Sequence, residues 1–206
     1  MKFDHLNLIF DTHPAKRPVM NVRLRDDVCP DQLFYGTVSS PFGEMTLIWC
    51  EEGLCYLGFE EQRSLEKMAH FFPNVSVKKD QQGVRTYADK ILAVWRGEAT
   101  EKLELIVSGT EFQKKVWECL LHIPCGHVVS YGAVAEFVGR STAVRAVGSA
   151  VGANPVSLLI PCHRVIQKNG SVCHYGWGDA MKQKLLKMEV SLNSENPACC
   201  NIRQAG

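Results

Sequence analysis

The chain has 206 residues, 46% of them hydrophobic and 22% charged, which excludes a disordered, collagen-like or disulfide-scaffold polypeptide and fits an ordinary globular one. A formal net charge of +1 hides an asymmetry: residues 1–106 carry 13 Lys and Arg against 16 Asp and Glu, whereas residues 107–206 carry 10 against 6. The basic excess falls far short of a histone-like tail, yet it suits a polyanionic partner for the C-terminal half.

Nine cysteines, at 29, 50, 55, 119, 125, 162, 173, 199 and 200, form an odd set with no C-x-x-C spacing. They read as reduced thiols of an intracellular protein. Asp4, His5, Asp11 and Lys16 interrupt any apolar N-terminal signal, and no run approaches the roughly 18 apolar residues of a membrane span. The expected location is the cytoplasm, or the nucleus in a eukaryote.

Residues 1–32 mix charges with Pro14, Pro18 and Pro30 and read as an irregular N-terminal extension. From Leu33 strand signals appear: Leu33–Val38 and Met45–Cys50 joined by Pro41-Phe42-Gly43, then Leu54–Phe59 after Glu51-Glu52-Gly53. These give a three-stranded antiparallel meander. Leu65, Met68, Ala69 and Phe72 have helical spacing, ended by Pro73; Tyr87, Ile91, Val94 and Trp95 mark a second helix with Gly97 just past it. Residues 33–106 thus read as a supporting α/β domain.

Residues 107–190 read as a second domain. Thr110-Glu111-Phe112-Gln113 opens it with a capping-box pattern, and Phe112, Val116, Cys119, Leu120 and Ile123 mark a buried helix face. Ser130 caps a short helix, Tyr131–Val138, that stops at Gly139; Ser141 or Thr142 caps the next, which runs to Asn154 before Pro155. Two helices joined by so short a glycine-containing turn make a helix-turn-helix. On the second, Val144, Val147 and Val151 are expected to face inward, while Arg145, Gly148, Ser149 and Gly152 share another side. Two glycines in a helix interior cost about 1 kcal/mol each relative to alanine, so close approach of another surface is expected there: either DNA or the first domain.

The stretch Leu158-Leu159-Ile160-Pro161-Cys162-His163-Arg164-Val165-Ile166 reads as a buried, extended segment. It sets a thiol beside a base and a cation. An unperturbed cysteine is only roughly 3% thiolate at pH 7, so a nucleophilic cysteine needs such help. Asn169-Gly170 marks a turn, residues 171–178 a loop with Tyr175 and Trp177, and Asp179 the cap of a last helix burying Leu185, Leu186 and Val190. Glu189 beside that stripe needs a partner, and His163 is a candidate. Residues 191–206 read as a loose tail.

Pro161-Cys162-His163-Arg164-Val165, Arg145-Ala146-Val147-Gly148, Asn154-Pro155-Val156, Phe112-Gln113 through Trp117, Ile123-Pro124-Cys125-Gly126 and Val129-Ser130-Tyr131 together resemble the O6-alkylguanine-DNA alkyltransferases. The likeness spans about Leu33 to Val190. It implies an RNase H-like α/β domain followed by a winged-helix-like helix-turn-helix domain that meets double-stranded DNA through the minor groove, as a monomer. It further implies that an O6-alkylguanine, or an O4-alkylthymine, is flipped out and dealkylated once per molecule. Cys162 would be the acceptor, His163 would take its proton through water, Glu189 would orient the imidazole, and Asn154 would brace the thiol. Tyr131 would donate to guanine N3, and Arg145 would fill the vacated stack. Thr142, Ala146, Gly148, Ser149 and Gly152 would meet DNA, while Val165, Tyr175, Gly176 and Trp177 would line the base pocket.

The loop His174-Tyr175-Gly176-Trp177-Gly178 departs from the Gly-Tyr-Arg-Trp-Gly pattern of many bacterial relatives, so the pocket lacks that arginine. No cofactor is expected, and no metal: zinc shared between Cys162-His163 and Cys173-His174 would quench the nucleophile, and the N-terminus lacks a zinc-ligand spacing. Two other readings are a non-catalytic sensor of alkylated DNA, which would lack the cysteine, and a cysteine hydrolase using Cys162, His163 and Glu189.

Overall fold

The structure, a computed structural model, describes residues 9–11, 14 and 20–195. In chain order the elements begin with β1 (Ile9–Phe10), β2 (Val22–Arg25), β3 (Gln32–Ser40), β4 (Gly43–Cys50) and β5 (Gly53–Gly58). Next come α1 (Glu61–Phe71), β6 (Ser76–Lys79), α2 (Gly83–Arg96), β7 (Leu103–Ile106) and α3 (Glu111–Leu120). The C-terminal part holds β8 (His127–Ser130), α4 (Tyr131–Phe137), α5 (Val144–Gly152), β9 (Val165–Ile166) and α6 (Asp179–Glu195). Among the described residues they divide between two compact units, one of residues 21–110 with 155–159, the other of the described residues up to 20 with 111–154 and 160–195.

In the first unit the expected meander, β3-β4-β5, forms the middle of a larger mixed sheet ordered β2-β7-β5-β4-β3-β6. The three added strands pair in parallel. Met45 to Cys50 and all of β5 are buried, which is why β4 reads as a continuous apolar run instead of alternating. The helix α2 buries Val84, Ala88, Ile91, Val94 and Trp95, and Gly36 on β3 admits it: a Cβ there would fall 2.7 Å from Val84 Cβ. Gly97 ends α2 at φ 71, donating to Val94 O, as its spacing predicts. Residues 155–159 lie along β5, with Leu57 N donating to Pro155 O and Ser157 N to Leu57 O.

In the second unit α3, α4 and α5 pack together, and Trp117 Nε1 on α3 donates to Ala150 O on α5 at 2.9 Å. Ser130 caps α4 as expected, its Oγ accepting from Ala133 N at 3.0 Å. A parallel sheet, β1-β8-β9, carries Val128 and Ile166 into a core with Val172, Leu186 and Val190.

Several expectations are corrected. Residues 1–32 are not irregular throughout: β1 pairs with β8 and β2 with β7, and both strands are short edge additions whose order comes from their partners, leaving little local signal. Val144 is 41% exposed although it continues the i, i+3, i+7 spacing of Val147 and Val151, because it occupies the first residue of the helix, ahead of the turn that packs. Neither Ser141 nor Thr142 is the N-cap of α5; Ala143 stands there, without a side-chain cap. The helix α6 extends to Glu195, five residues into the expected tail, and residues 196–206 lie outside the described ones. No described helix is long and apolar enough to cross a membrane.

Candidate active site

Pro161 shapes the segment at the centre of the second unit. The expected extended chain is instead bent: Cys162 N donates to Ile160 O at 2.7 Å, and Pro161 between them has φ −81° and ψ 62°. Those angles are an inverse γ-turn, whose φ the pyrrolidine ring imposes. Cys162–Arg164 then form one 3-10 turn before the chain extends as β9. Leu158, fully buried three residues before the bend, is held at φ 70°, a region costly for a branched side chain. The cysteine is thus presented on a tight, rigid corner.

Asn154, at the end of α5, closes that corner. Its Nδ2 donates to Ile160 O at 2.8 Å and to Cys162 Sγ at 3.0 Å. Cys162 is 6% exposed, and its burial pushes the thiol above its ordinary pKa. The Asn154 hydrogen bond, the charge of Lys182 and a hydrogen bond from Tyr175 all act the other way. Tyr131 lies close enough to Cys162 to feel its charge, and burial raises its hydroxyl to about 12, leaving it a donor at neutral pH.

Behind Cys162 lies a buried ionic chain. His163 Nε2 donates to Glu189 Oε1 at 2.6 Å, both side chains being fully buried. Arg164 binds the same carboxylate, with NH2 2.9 Å from Oε1 and Nε 3.0 and 3.2 Å from the two oxygens. Burial alone would raise the Glu189 pKa, but Arg164 first and His163 second hold it down to about 2. Burial also lowers His163, outweighing Glu189, so the resting imidazole is neutral. The Ile123-Pro124-Cys125-Gly126 pattern belongs to this chain: Arg164 NH1 donates to Ile123 O, and Gly126 N donates to Glu189 Oε2 at 3.2 Å. Gly126 has φ 73°, a conformation that suits glycine.

Two roles in this site escaped the sequence reading. Arg164 reads there as a cation beside the thiol, yet it is the main counter-charge of Glu189. Lys182 is 1% exposed, with Nζ donating to Val165 O at 2.7 Å and Cys173 O at 3.1 Å. Burial lowers it to about 8. The signal was present: Lys182, Leu185, Leu186 and Glu189 fall at i, i+3, i+4, i+7, a stripe on which a lysine must find buried partners.

The remaining candidates separate by place. An open groove of about 760 Å³ is lined by Tyr131, Arg145, Gly148, Ser149, Lys168 and His174, among others. A Cβ added at Gly148 or Gly152 meets no atom within 4 Å, so packing among the described residues requires neither glycine. Thr142, Ala146 and Gly152 are exposed but lie outside the groove lining. Val165 is buried beside Cys162, Tyr175 and Trp177 are half-buried, and Gly176 is exposed. Their loop is fixed by Gly178 N donating to Tyr175 O and Tyr175 N to Asp179 Oδ1, so Asp179 serves the loop through its side chain. Cys173 Sγ lies 2.9 Å from His174 Nδ1, but among the described residues no three His, Cys, Asp or Glu side chains converge on a metal site.

A mixed-sheet unit thus accompanies a helical unit that buries a cysteine against an Asn and a His–Glu–Arg chain. Residues 33–90 match the ribonuclease-like domain of 6-O-methylguanine DNA methyltransferase, and residues 111–191 match its DNA binding domain. The methylated-DNA–protein-cysteine methyltransferase of Mycobacterium tuberculosis strain H37Rv is 39% identical over 160 residues, covering 77% of this chain and 93% of that protein. The inducible enzyme of that name from Bacillus subtilis is 37% identical over 149 residues, covering 70% and 83%. A crystal structure of M. tuberculosis OGT in complex with DNA superposes with a TM-score of 0.64 at 36% identity, covering 78% of this chain and 94% of that one. The chain belongs to the methylated-DNA–protein-cysteine methyltransferase family.

Proposed function

We propose that this protein repairs alkylated DNA by moving the alkyl group from O6-alkylguanine, or O4-alkylthymine, to Cys162. The observation that carries the assignment is the Cys162 sulfur on its proline-built corner, accepting from Asn154. A thiol raised by burial needs its proton removed as it attacks. His163 is neutral at rest and can take that proton through a water, becoming an imidazolium beside Glu189. The Cys162 sulfur attacks the alkyl carbon in line, the carbon–oxygen bond breaks, and the electron pair stays on the base. Tyr131, a hydroxyl at this pH, donates a hydrogen bond to the base nitrogen and stabilises the anion until it takes a proton from water.

An alkyl carbon inside a base stack cannot reach a buried sulfur, so the base must be extruded, which costs a few kcal/mol. The open face of α5 suits the minor groove: Gly148 and Gly152 let the backbone approach, and Arg145 stands beside them to enter the stack. Val165, Tyr175, Gly176 and Trp177 would then surround the flipped base. A thioether sulfur is a poor leaving group, so each molecule acts once.

The test is incubation with a duplex bearing one O6-methylguanine, followed by intact mass and peptide mapping. One methyl, about 14 Da, is expected on Cys162 and nowhere else, with no further turnover. Methyl on Cys173, or more than one equivalent of lesion repaired per protein, would overturn the assignment.

A further inference from the structure

Away from the Cys162 site, the first unit holds two further thiols in contact. The strand β4 ends at Cys50 and β5 begins at Gly53, so the two cysteines flank one tight hairpin. The register shifts within it: Ile48 pairs with Tyr56 and Trp49 with Leu54, leaving Cys55 as an extra residue on β5. Cys50 Sγ and Cys55 Sγ lie 3.7 Å apart, and both sulfurs face Gly53 O, at 3.7 and 3.8 Å. Both are free thiols, exposed by 1% and 0%. Nothing in the alkyl-transfer reaction uses them.

We propose that Cys50 and Cys55 are a redox-active pair that closes to a disulfide when the protein meets a hydroperoxide. Contacting sulfurs need to move by only about 1.7 Å to reach the ~2.05 Å of a disulfide. The roles are set by the hydrogen bond between them: Cys55 donates to Cys50 Sγ. That donation holds the Cys50 thiol below its ordinary range, against burial and the hydrogen bond to Glu52, while Cys55 is pushed above it. Cys50 is therefore the attacking sulfur, and the Glu52 carboxylate, which pairs with its thiol, can take the proton.

Cys50 sulfur attacks one peroxide oxygen; the oxygen–oxygen bond breaks, an alcohol or water leaves, and Cys50 becomes a sulfenic acid. Cys55 sulfur then attacks that sulfur; the sulfur–oxygen bond breaks, water leaves with the Cys55 proton, and the disulfide forms. Two electrons pass from the paired sulfurs to the peroxide. The bond would close over Glu51–Leu54 in the first unit and leave Cys162 chemically untouched.

The experiment treats the full-length protein with hydrogen peroxide, blocks remaining thiols with N-ethylmaleimide in denaturant, and digests after Glu51 and Glu52. The expected result is a Cys50 peptide and a Cys55 peptide joined to each other, about 2 Da lighter than the two reduced peptides together, and released by dithiothreitol. In Cys55→Ser, Cys50 is expected to stop as a sulfenic acid that dimedone traps. Maleimide on both Cys50 and Cys55 after peroxide has oxidised the more accessible Cys173 would overturn the proposal. So would a Cys55→Ser protein whose Cys50 remains maleimide-reactive throughout.

Discussion

Glu189 Oε1 lies 2.6 Å from His163 Nε2, but the carboxylate also takes the guanidinium of Arg164 at 2.9 Å. Burial lowers His163 by more than Glu189 raises it, so His163 rests neutral instead of as an imidazolium. The orientation of the imidazole is fixed by the bond to Glu189. The standing positive charge that favours the Cys162 thiolate is that of Lys182, not of His163.

Glu189→Gln should damage the fold as well as the reaction. It leaves Arg164 buried without its counter-charge, a change that typically costs about 3–5 kcal/mol. The pH dependence identifies the cause. The folded pKa of about 2 lies below the ordinary carboxylate value near 4.3, so this group's stabilisation is complete above about pH 4.3 and is lost as pH falls through about 2. Its size is roughly 3 kcal/mol. Chemical denaturation from pH 2 to 6 should show a shallower acid loss in the variant; parallel curves would remove Glu189 from the linkage.

Asn154→Ala removes a donor from Cys162 Sγ at 3.0 Å. A hydrogen bond to a charged group is worth about 1.5–3 kcal/mol, so alkyl transfer should slow by roughly 10- to 100-fold near neutral pH. The pH–rate profile should move to higher pH, since the thiolate has lost a partner. A uniform loss with an unmoved profile would mean that Asn154 only shapes the Ile160–Cys162 corner.

Lys182→Met tests the buried cation. The lysine is held at about 8, below its ordinary value near 10.4, so it detracts from stability at neutral pH and that deficit shrinks as pH rises from about 8 to 10.4. Wild-type protein should gain up to about 3 kcal/mol from this group over that window, and the variant should not. Transfer by the variant should be slower, with the thiol profile displaced upward, because the charge favouring thiolate is gone. Equal stability slopes would place Lys182 in water.

Gly148 should separate fold from function. Open space surrounds it, so Gly148→Ala is expected to stabilise the helix by about 1 kcal/mol. Gly148→Leu should fold as well, yet repair duplex DNA far more slowly than it reacts with a free O6-alkylguanine base. Arg145→Ala should show the same contrast between substrates. Equal rates on both substrates would take α5 out of the DNA interface.

The antiparallel meander and the α3–α5 helices were legible because each carries its own period and its own punctuation: Gly97 past α2, Ser130 before α4. The short parallel strands were not, since Val22–Arg25 and Ile9–Phe10 owe their order to partners about 80 and 118 residues away. The placing of a base and a cation directly after Cys162 was readable in His163 and Arg164, but the bend was not. Pro161 suggested extension by its effect on the preceding residue, whereas its own fixed φ served a γ-turn. Glu189 was found as a carboxylate on an apolar stripe, and Lys182 lay on the same stripe.

The five residues between Asn154 and Ile160 lie along β5, where Leu57 holds both Pro155 and Ser157. This has a consequence for the order of assembly during synthesis. The hairpin bearing Leu57 leaves the ribosome long before residue 162, so its edge is waiting when the 155–159 segment emerges. Docking of that segment is then expected to precede the bonds that Asn154, at one end of it, makes to Ile160 O and Cys162 Sγ past the other. A fragment starting at Glu111 would bring the cysteine, histidine and glutamate yet lack the strand that tethers residues 155–159. Its Cys162 should then behave towards maleimide as an ordinary exposed thiol.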